Sequence, residues 1–333
     1  MMTYNQILAD LKSKKYYPIY FLYGEESYFI DVISDYIENS VLDEGQKEFD
    51  QTVVYGKDTD VPTIVSHAKR FPMLGHKHVV IVKEAQEIKK IDDLLSYVNQ
   101  PLESTILVFC YKYAKLDQRK QLAKSLSKIG VVFESKKLFE YQISEWINKQ
   151  LGIRGYSIQS KAALLMTEFL GTDLSKVSNE IEKLCINLPK GTEITPTHIE
   201  ANIGISKDYN VFELQNALGK KDVVRANQII NYFAANQRDN PMVKVVGLLY
   251  GFFVKTLIYH QVKGKNEDTI AGALSVPKFF LKDYKIASQN YNTNKLTRII
   301  SSLREYDLKA KGVNNVTATD GELMKELVFK ILH

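Results

Sequence analysis

Short apolar runs alternate with amphipathic segments over the first 140 residues, and this alternation constrains the fold more than any other feature. Five runs rich in β-branched and aromatic residues predict strands at residues 19–23, 52–55, 79–82, 105–110 and 131–134. Helical spacing of apolar residues predicts helices at 4–11, 28–39, 61–69, 91–98 and 118–128. Because parallel neighbours need crossover connections, the pattern predicts a doubly wound parallel five-stranded sheet in an α/β domain of residues 1–140.

Beyond residue 140 the apolar residues recur only at helical spacing, and no further strand is predicted. Three stripes punctuated by Gly152, Gly171 and Gly191 predict a small helical bundle over residues 141–208, with Trp146 as its core anchor. A third domain, residues 209–333, is predicted to be all helical, with helices at 212–218, 223–233, 243–259, 279–287, 296–308 and 323–332. The predicted fold class is therefore α/β plus all-α.

Composition indicates a globular chain with few special requirements. Hydrophobic residues make up 45% and charged residues 25%, and the net charge of +5 is too small to demand a nucleic-acid partner. No run of about 18 uninterrupted apolar residues occurs, and the first residues lack a secretory pattern, so a cytoplasmic protein without a membrane partner is expected. Cys110 and Cys185 lie in apolar patterns and are predicted to be free, buried thiols.

The turn after the first predicted strand occupies the place of a phosphate-binding loop but lacks its chemistry. Its residues Gly24, Glu25 and Glu26 are not followed by a second glycine with Lys and Ser or Thr. Two carboxylates at a helix N-terminus stabilise the helix dipole and repel a triphosphate. The fourth strand also ends in Phe109-Cys110-Tyr111, without a carboxylate for magnesium. This degenerate nucleotide loop therefore predicts no ATP binding and no cofactor.

Histidines and nucleophiles form no recognisable catalytic or metal site. His76 and His78 have the i, i+2 spacing of a metal pair, but no third ligand follows, so both are expected on the solvent side of a strand entry. Ser27 lies in no nucleophile elbow. No catalytic residue and no metal ligand is predicted.

An apolar loop precedes the third predicted strand. Phe71, Met73 and Leu74 are large apolar residues in a segment that Pro72 and Gly75 keep from forming helix or strand. Such side chains either fold back onto the core or are offered to a partner. The residues by themselves leave both interpretations open.

Several stretches resemble the delta subunit family of the bacterial DNA polymerase III clamp loader. They are residues 18–26 (PIYFLYGEE), 114–120 (AKLDQRK), 171–174 (GTDL), 179–184 (NEIEKL) and 212–218 (FELQNAL). Each is weak alone, but they occur in the family's order and spacing from the first strand to the last domain.

The resemblance implies an AAA+-like α/β domain, a helical lid domain and a C-terminal helical collar domain. It also implies a non-catalytic subunit that opens the sliding clamp by docking an apolar pair at a helix tip, which matches Met73 and Leu74 here, with Phe71 beside them. The implied partners are the beta sliding clamp, the ATP-binding gamma/tau and delta-prime subunits, and primer-template DNA inside the assembled complex. The resemblance favours exposure of the apolar pair.

Two other functions remain open from the sequence. A diverged AAA+ ATPase could recruit its lysine from Lys83 or Lys115, and ATP binding by the isolated chain would distinguish it. A DNA-binding AAA+-like scaffold would show a steeply salt-dependent affinity for DNA.

Overall fold

The computed structural model describes residues 2–204, 206 and 208–333, and the chain divides into two units, Met1–Phe139 and Glu140–His333. The first unit is built around a parallel sheet, and the second is built from helices. Strands are named β1 to β7 and helices α1 to α17 in chain order.

All five strands predicted in the first unit are present and pair in parallel. They are β1 (Ile19–Gly24), β2 (Gln51–Tyr55), β3 (His78–Lys83), β4 (Thr105–Lys112) and β5 (Val131–Ser135). Their order in the sheet is β2-β3-β4-β1-β5, with Phe21 opposite Phe109 in β4 and Val132 in β5. The central strands are buried on both faces, which explains their unbroken apolar sequences.

Helices cover both faces of this sheet, as the crossovers require. They are α1 (Tyr4–Lys12), α2 (Ser27–Ser40), α3 (Glu44–Asp50), α4 (Val61–Ala68), α5 (Leu95–Val98) and α6 (Gln121–Ile129). Residues of α1 and α2 pack with one face of the strands, and residues of α4, α5 and α6 pack with the other. The doubly wound parallel sheet is therefore confirmed.

Two local details of the first unit differ from the sequence-based prediction. Helix α3 was not predicted, because its sequence EGQKEFD carries a single large apolar residue and no helical periodicity. The predicted helix 91–98 is instead a 3-10 turn, Ile91–Leu94, followed by the single turn of α5.

The second unit contains eleven helices among its described residues. They are α7 (Glu140–Ile153), α8 (Ser160–Leu170), α9 (Leu174–Asn187), α10 (Pro196–Ile203), α11 (Val211–Lys220), α12 (Val223–Ala235), α13 (Met242–Val262), α14 (Glu267–Leu274), α15 (Leu281–Asn290), α16 (Thr293–Ala310) and α17 (Asp320–Leu332). The expectation of no strand here is wrong, because β6 (Ser157–Ile158) and β7 (Glu193–Ile194) form a short parallel pair. Two residues per strand are too few to leave a periodic signal. Helices α10 and α14 were also not predicted.

Burial in the second unit follows the predicted stripes with three exceptions. Trp146 is buried as expected, but Phe169 is exposed, and Leu170 and Cys185 are only half-buried. Both cysteines are free, and burial raises the pKa of the Cys110 thiol to about 11.

Helix α13 is long and apolar enough to span a membrane by length and composition, alone among the described helices. Eight of its residues are buried, and seven of them belong to an apolar core shared with α11, α12 and α14 to α17. This packing is typical of the central helix of a helical domain.

Candidate functional site

The two sequence-predicted sites lie at opposite edges of the parallel sheet. The degenerate loop begins at Gly24, the last residue of β1, and therefore lies at the carboxyl edge. The apolar segment, defined here as residues 71–75, ends three residues before His78, the first residue of β3, and lies at the amino edge. Each site can therefore be considered on its own.

Gly24 brings the loop at the carboxyl edge into close contact with strand β5. Its φ of +134° is a conformation that L side chains rarely adopt, and a Cβ there would lie 2.1 Å from the carbonyl oxygen of Ser135. The Glu26 N–H donates to that same oxygen at 3.2 Å, and the Ser135 hydroxyl donates to the Glu26 carbonyl oxygen at 2.6 Å. The space beside the loop is therefore occupied by the protein's own backbone.

The N-terminus of α2 is capped by its own sequence. The Glu26 carboxylate accepts a hydrogen bond from the Tyr28 N–H at 3.1 Å, and Glu26 is buried. In a phosphate-binding loop, backbone N–H groups at this position would face the anion. Here the Glu26 carboxylate accepts one of these N–H groups in place of a phosphate.

Two lysines at the same edge are paired with carboxylates of the first unit. Lys112, at the end of β4, contacts Asp31 at 2.8 Å and Glu84 at 3.2 Å. Burial lowers the pKa of the Lys112 ammonium, but the two carboxylates outweigh it and hold that pKa above its ordinary value. Lys83, at the end of β3, contacts Glu38 at 2.8 Å and Asp35 at 3.1 Å.

Lys115, the other lysine considered from the sequence, is exposed and lies 3.7 Å from Glu25.

The apolar segment at the amino edge exposes its three large side chains. Phe71 is 73% exposed, Met73 67% and Leu74 60%. The segment has neither helical nor strand geometry, as Pro72 and Gly75 predict, so the apolar pair does not lie on a helix tip here. Helix α4 ends at Ala68, five residues before Met73. Three adjacent large apolar side chains in water are typical of a contact surface.

A buried carboxylate holds the backbone of this segment. Asp50, the last residue of α3, accepts hydrogen bonds from the N–H groups of Met73, of Leu74 at 2.9 Å and of Gly75 at 2.8 Å. Burial raises the pKa of the Asp50 carboxyl, but these three donors and the nearby His78 outweigh it and hold the pKa below its ordinary value. Asp50 is therefore ionised at neutral pH.

His78 corrects the expectation of two solvent-side histidines. His76 is exposed, but His78 begins β3 and is buried, because the strand starts at this residue and directs its ring into the sheet edge. Neither ring nitrogen of His78 has a hydrogen-bond partner among the described residues. No cluster of three metal-ligating side chains is found in the described part of the chain.

Asp50 was not predicted as a functional residue, because α3 was not predicted from the sequence. One signal was available: Asp43 and Gln46 have the spacing of a capping box, and the structure contains that box at the start of α3. A capping box locates a helix start, but it gives no information about a partner more than 20 residues away.

Two family comparisons bear on the identity of the chain. Residues 20–136 match the family described as the DNA polymerase III delta subunit, and residues 208–328 match the C-terminal domain of the DNA polymerase III delta subunit. DNA polymerase III subunit delta of Bacillus subtilis (strain 168) is 28% identical over 317 residues, which cover 92% of this chain and 91% of that protein. A probable DNA polymerase III subunit delta of Aquifex aeolicus (strain VF5) is 22% identical over 306 residues, covering 88% and 86%.

Among solved structures, the Bacillus subtilis DNA clamp loader delta protein covers 99% of each chain with a TM-score of 0.58 and 24% identity. This likeness shows the fold, and the predicted class, an α/β domain with a parallel sheet followed by helices, is confirmed. With both family matches, the chain belongs to the DNA polymerase III delta subunit family. It is thus a component of the DNA polymerase III holoenzyme.

Proposed function

We propose that this chain binds the sliding clamp and opens its ring for loading onto primed DNA, with Phe71, Met73 and Leu74 as the contact. The observation that carries the proposal is the exposure of all three side chains on a segment whose backbone donates three hydrogen bonds to Asp50. An exposed apolar cluster on an ordered backbone can enter an apolar pocket at a low cost in conformational entropy.

The chain itself is proposed to be non-catalytic. In support, Glu26 caps α2 from within, Gly24 lies against β5, and Lys83 and Lys112 are paired with carboxylates. ATP binding and hydrolysis then belong to the gamma/tau and delta-prime subunits of the same assembly, which acts on primer-template DNA. A subunit of a bacterial replication complex acts on the chromosome, so we place the protein in the cytoplasm.

We retain the division of the helical unit into a lid, residues 141–208, and a collar, residues 209–333, as a proposal. In support, α11 to α17 share one apolar core, and α7 to α10 pack with one another. The collar is proposed to join the chain to the other loader subunits.

The decisive experiment measures clamp binding by a variant that carries both Met73→Ala and Leu74→Ala. Burying each side chain on binding contributes about 1.5 to 3 kcal/mol, so the double variant should bind the cognate clamp about a hundredfold to ten-thousandfold more weakly. Its melting temperature should stay near that of the wild type, because exposed side chains contribute little to folding. Surface plasmon resonance on immobilised clamp and a melting curve provide the two readouts.

A matched control removes apolar surface of the same kind elsewhere. Ile153 and Ile186 are 70% and 75% exposed in the helical unit, and their double alanine variant should bind the clamp as the wild type does. Ring opening is followed separately, by fluorescence quenching between dyes placed across one clamp interface. A Met73/Leu74 variant that melts normally and still binds and opens the clamp would exclude these residues as the contact.

A further inference from the structure

Three consecutive N–H groups of the apolar segment converge on one buried side chain. The Asp50 carboxylate accepts from Met73 through Oδ1 and from Leu74 and Gly75 through Oδ2, across 23 to 25 residues of sequence. Asp50 itself is fully buried. Successive backbone N–H groups that converge in this way form an anion-binding nest, and here the anion is a side chain of the same protein.

The nest is the main partner of this negative charge. No lysine or arginine forms an ion pair with Asp50 among the described residues, although burial of an unpaired carboxylate is costly. Hydrogen bonds to an ionised acceptor are about twice as strong as neutral ones, and three of them on one carboxylate define the path of the donor backbone closely. The backbone of Met73, Leu74 and Gly75 is thus tied to the end of α3.

Helix α3 offers a second contact to the same segment. Its start is fixed by the capping box of Asp43 and Gln46, in which the Gln46 side-chain oxygen accepts from the Asp43 N–H at 3.2 Å. A Cβ placed on Gly75 would lie 3.3 Å from the Gln46 amide group, so the segment packs closely on this side chain. Asp50 and Gln46 of α3 therefore both contact the segment of residues 73–75.

We propose that Asp50 is a positioning residue for the clamp contact: its carboxylate fixes the backbone of residues 73–75 so that Met73 and Leu74 are held ready to bind. This inference rests on the proposed function, because it assigns a role at the same contact. An ordered segment loses less conformational entropy on binding than a mobile one. The affinity for the clamp therefore depends on Asp50, although Asp50 does not itself contact the clamp.

The first test is the replacement Asp50→Asn, which keeps the size of the side chain and removes its charge. An asparagine presents one acceptor oxygen and an NH₂ group, so it cannot accept from all three donors as the carboxylate does. We expect clamp affinity to fall about tenfold to a hundredfold. Amide hydrogen exchange at Met73, Leu74 and Gly75 should accelerate by a similar factor, while exchange in the central strands β1 and β4 stays slow.

The matched control is Asp43→Asn, the same chemical change at the other end of α3. Asp43 is exposed, and asparagine caps a helix as well as aspartate does. This variant should keep wild-type clamp affinity and slow exchange at residues 73–75.

A second measurement separates positioning from a general effect on folding. Asp50→Asn is introduced into the wild type and into Leu74→Ala, and clamp affinity is measured for all four proteins. If Asp50 acts through the apolar segment, the loss of clamp affinity caused by Asp50→Asn should be at least about threefold smaller in the Leu74→Ala background than in the wild type. Equal effects in the two backgrounds, or wild-type affinity for Asp50→Asn, would overturn the proposal.

If Asp50→Asn does not fold, one donor can be removed instead of the acceptor. The α-hydroxy analogue of leucine at position 74 replaces the Leu74 N–H by an ester oxygen and leaves every side chain unchanged. Faster exchange at Met73 and Gly75 with weaker clamp binding supports the proposal, and unchanged exchange and affinity contradict it.

Wild-type clamp binding by the Met73/Leu74 double alanine variant would instead contradict the proposed function. Amide exchange at residues 73–75 would still decide whether Asp50 orders them.

Discussion

His78 combines deep burial with a titratable ring at the amino edge of the sheet. Burial lowers the pKa of His78, and the positive charge of Arg70 lowers it further, with a smaller contribution from His67. The Asp50 carboxylate acts in the opposite direction but does not compensate. Neither ring nitrogen has a hydrogen-bond partner among the described residues. Protonation of the ring would therefore place a positive charge in a buried site that stabilises it little.

This environment predicts a loss of stability in mild acid. The folded state binds the His78 proton less readily than the unfolded state, whose pKa stays near 6.5, so the stabilisation is complete above pH 6.5 and is lost as the pH falls below it. The free energy of unfolding should fall by at most about 1.4 kcal/mol per pH unit from this group. Urea titrations at pH 7.5, 6.5 and 5.5 measure it.

The variants for this test are His78→Gln and, as control, His76→Gln. His76 is exposed, so its replacement should leave the pH dependence as in the wild type. His78→Gln should flatten the profile between pH 7.5 and 5.5. An unchanged profile in His78→Gln would assign the loss to another group.

Helix α2 carries three acidic residues that pair with lysines at the carboxyl edge. Asp31, Asp35 and Glu38 recur at three- and four-residue spacing, so they lie along one face of α2. Their partners Lys112 and Lys83 extend from the ends of two neighbouring strands. A phosphate group there would have to displace a carboxylate from each lysine and also face Glu26.

Calorimetry with ATP and magnesium on the isolated chain should therefore give only heats of dilution, with any Kd weaker than about 1 mM. Lys83 and Lys115 are the lysines for which the sequence left an ATPase open, and Lys115 is the exposed one of the two, at 3.7 Å from Glu25. Saturable binding that disappears in Lys115→Ala would favour the ATPase. Saturable binding that survives this change would point to Lys83 or Lys112 instead.

The whole molecule separates into an α/β unit and a helical unit, and the proposed clamp contact lies entirely in the first. The residues that support the apolar segment, from Asp50 and Gln46 to the start of β3, belong to that unit. The two apolar layers of its sheet are formed from its own helices. Clamp binding should therefore not require the helical unit.

A fragment of residues 1–139 is expected to fold cooperatively and to bind the clamp within about threefold of the full chain's affinity. The same fragment with Met73→Ala and Leu74→Ala is its control and should not bind measurably. Circular dichroism establishes folding, and surface plasmon resonance measures the affinity. A folded fragment that fails to bind would show that the helical unit contributes to the contact.

Local pattern was enough to determine the fold class and much of its detail. Burial on both faces selects unbroken apolar runs, so the five strands were recognised to within two residues at each end, and helical spacing located most of the long helices. The missing phosphate-loop residues after Gly24 were likewise visible in the sequence, because that motif depends on residue types at fixed short spacing.

Tertiary structure decided what depends on contacts distant in sequence. Met73 and Leu74 are exposed, and their backbone N–H groups donate to Asp50, more than 20 residues away on a helix without apolar periodicity. The burial of His78 depends on where β3 begins, and the pairing of Lys112 with Asp31 depends on how α2 lies over β4. Local sequence carries the preferences of short segments, whereas these features arise from segments that only folding brings together.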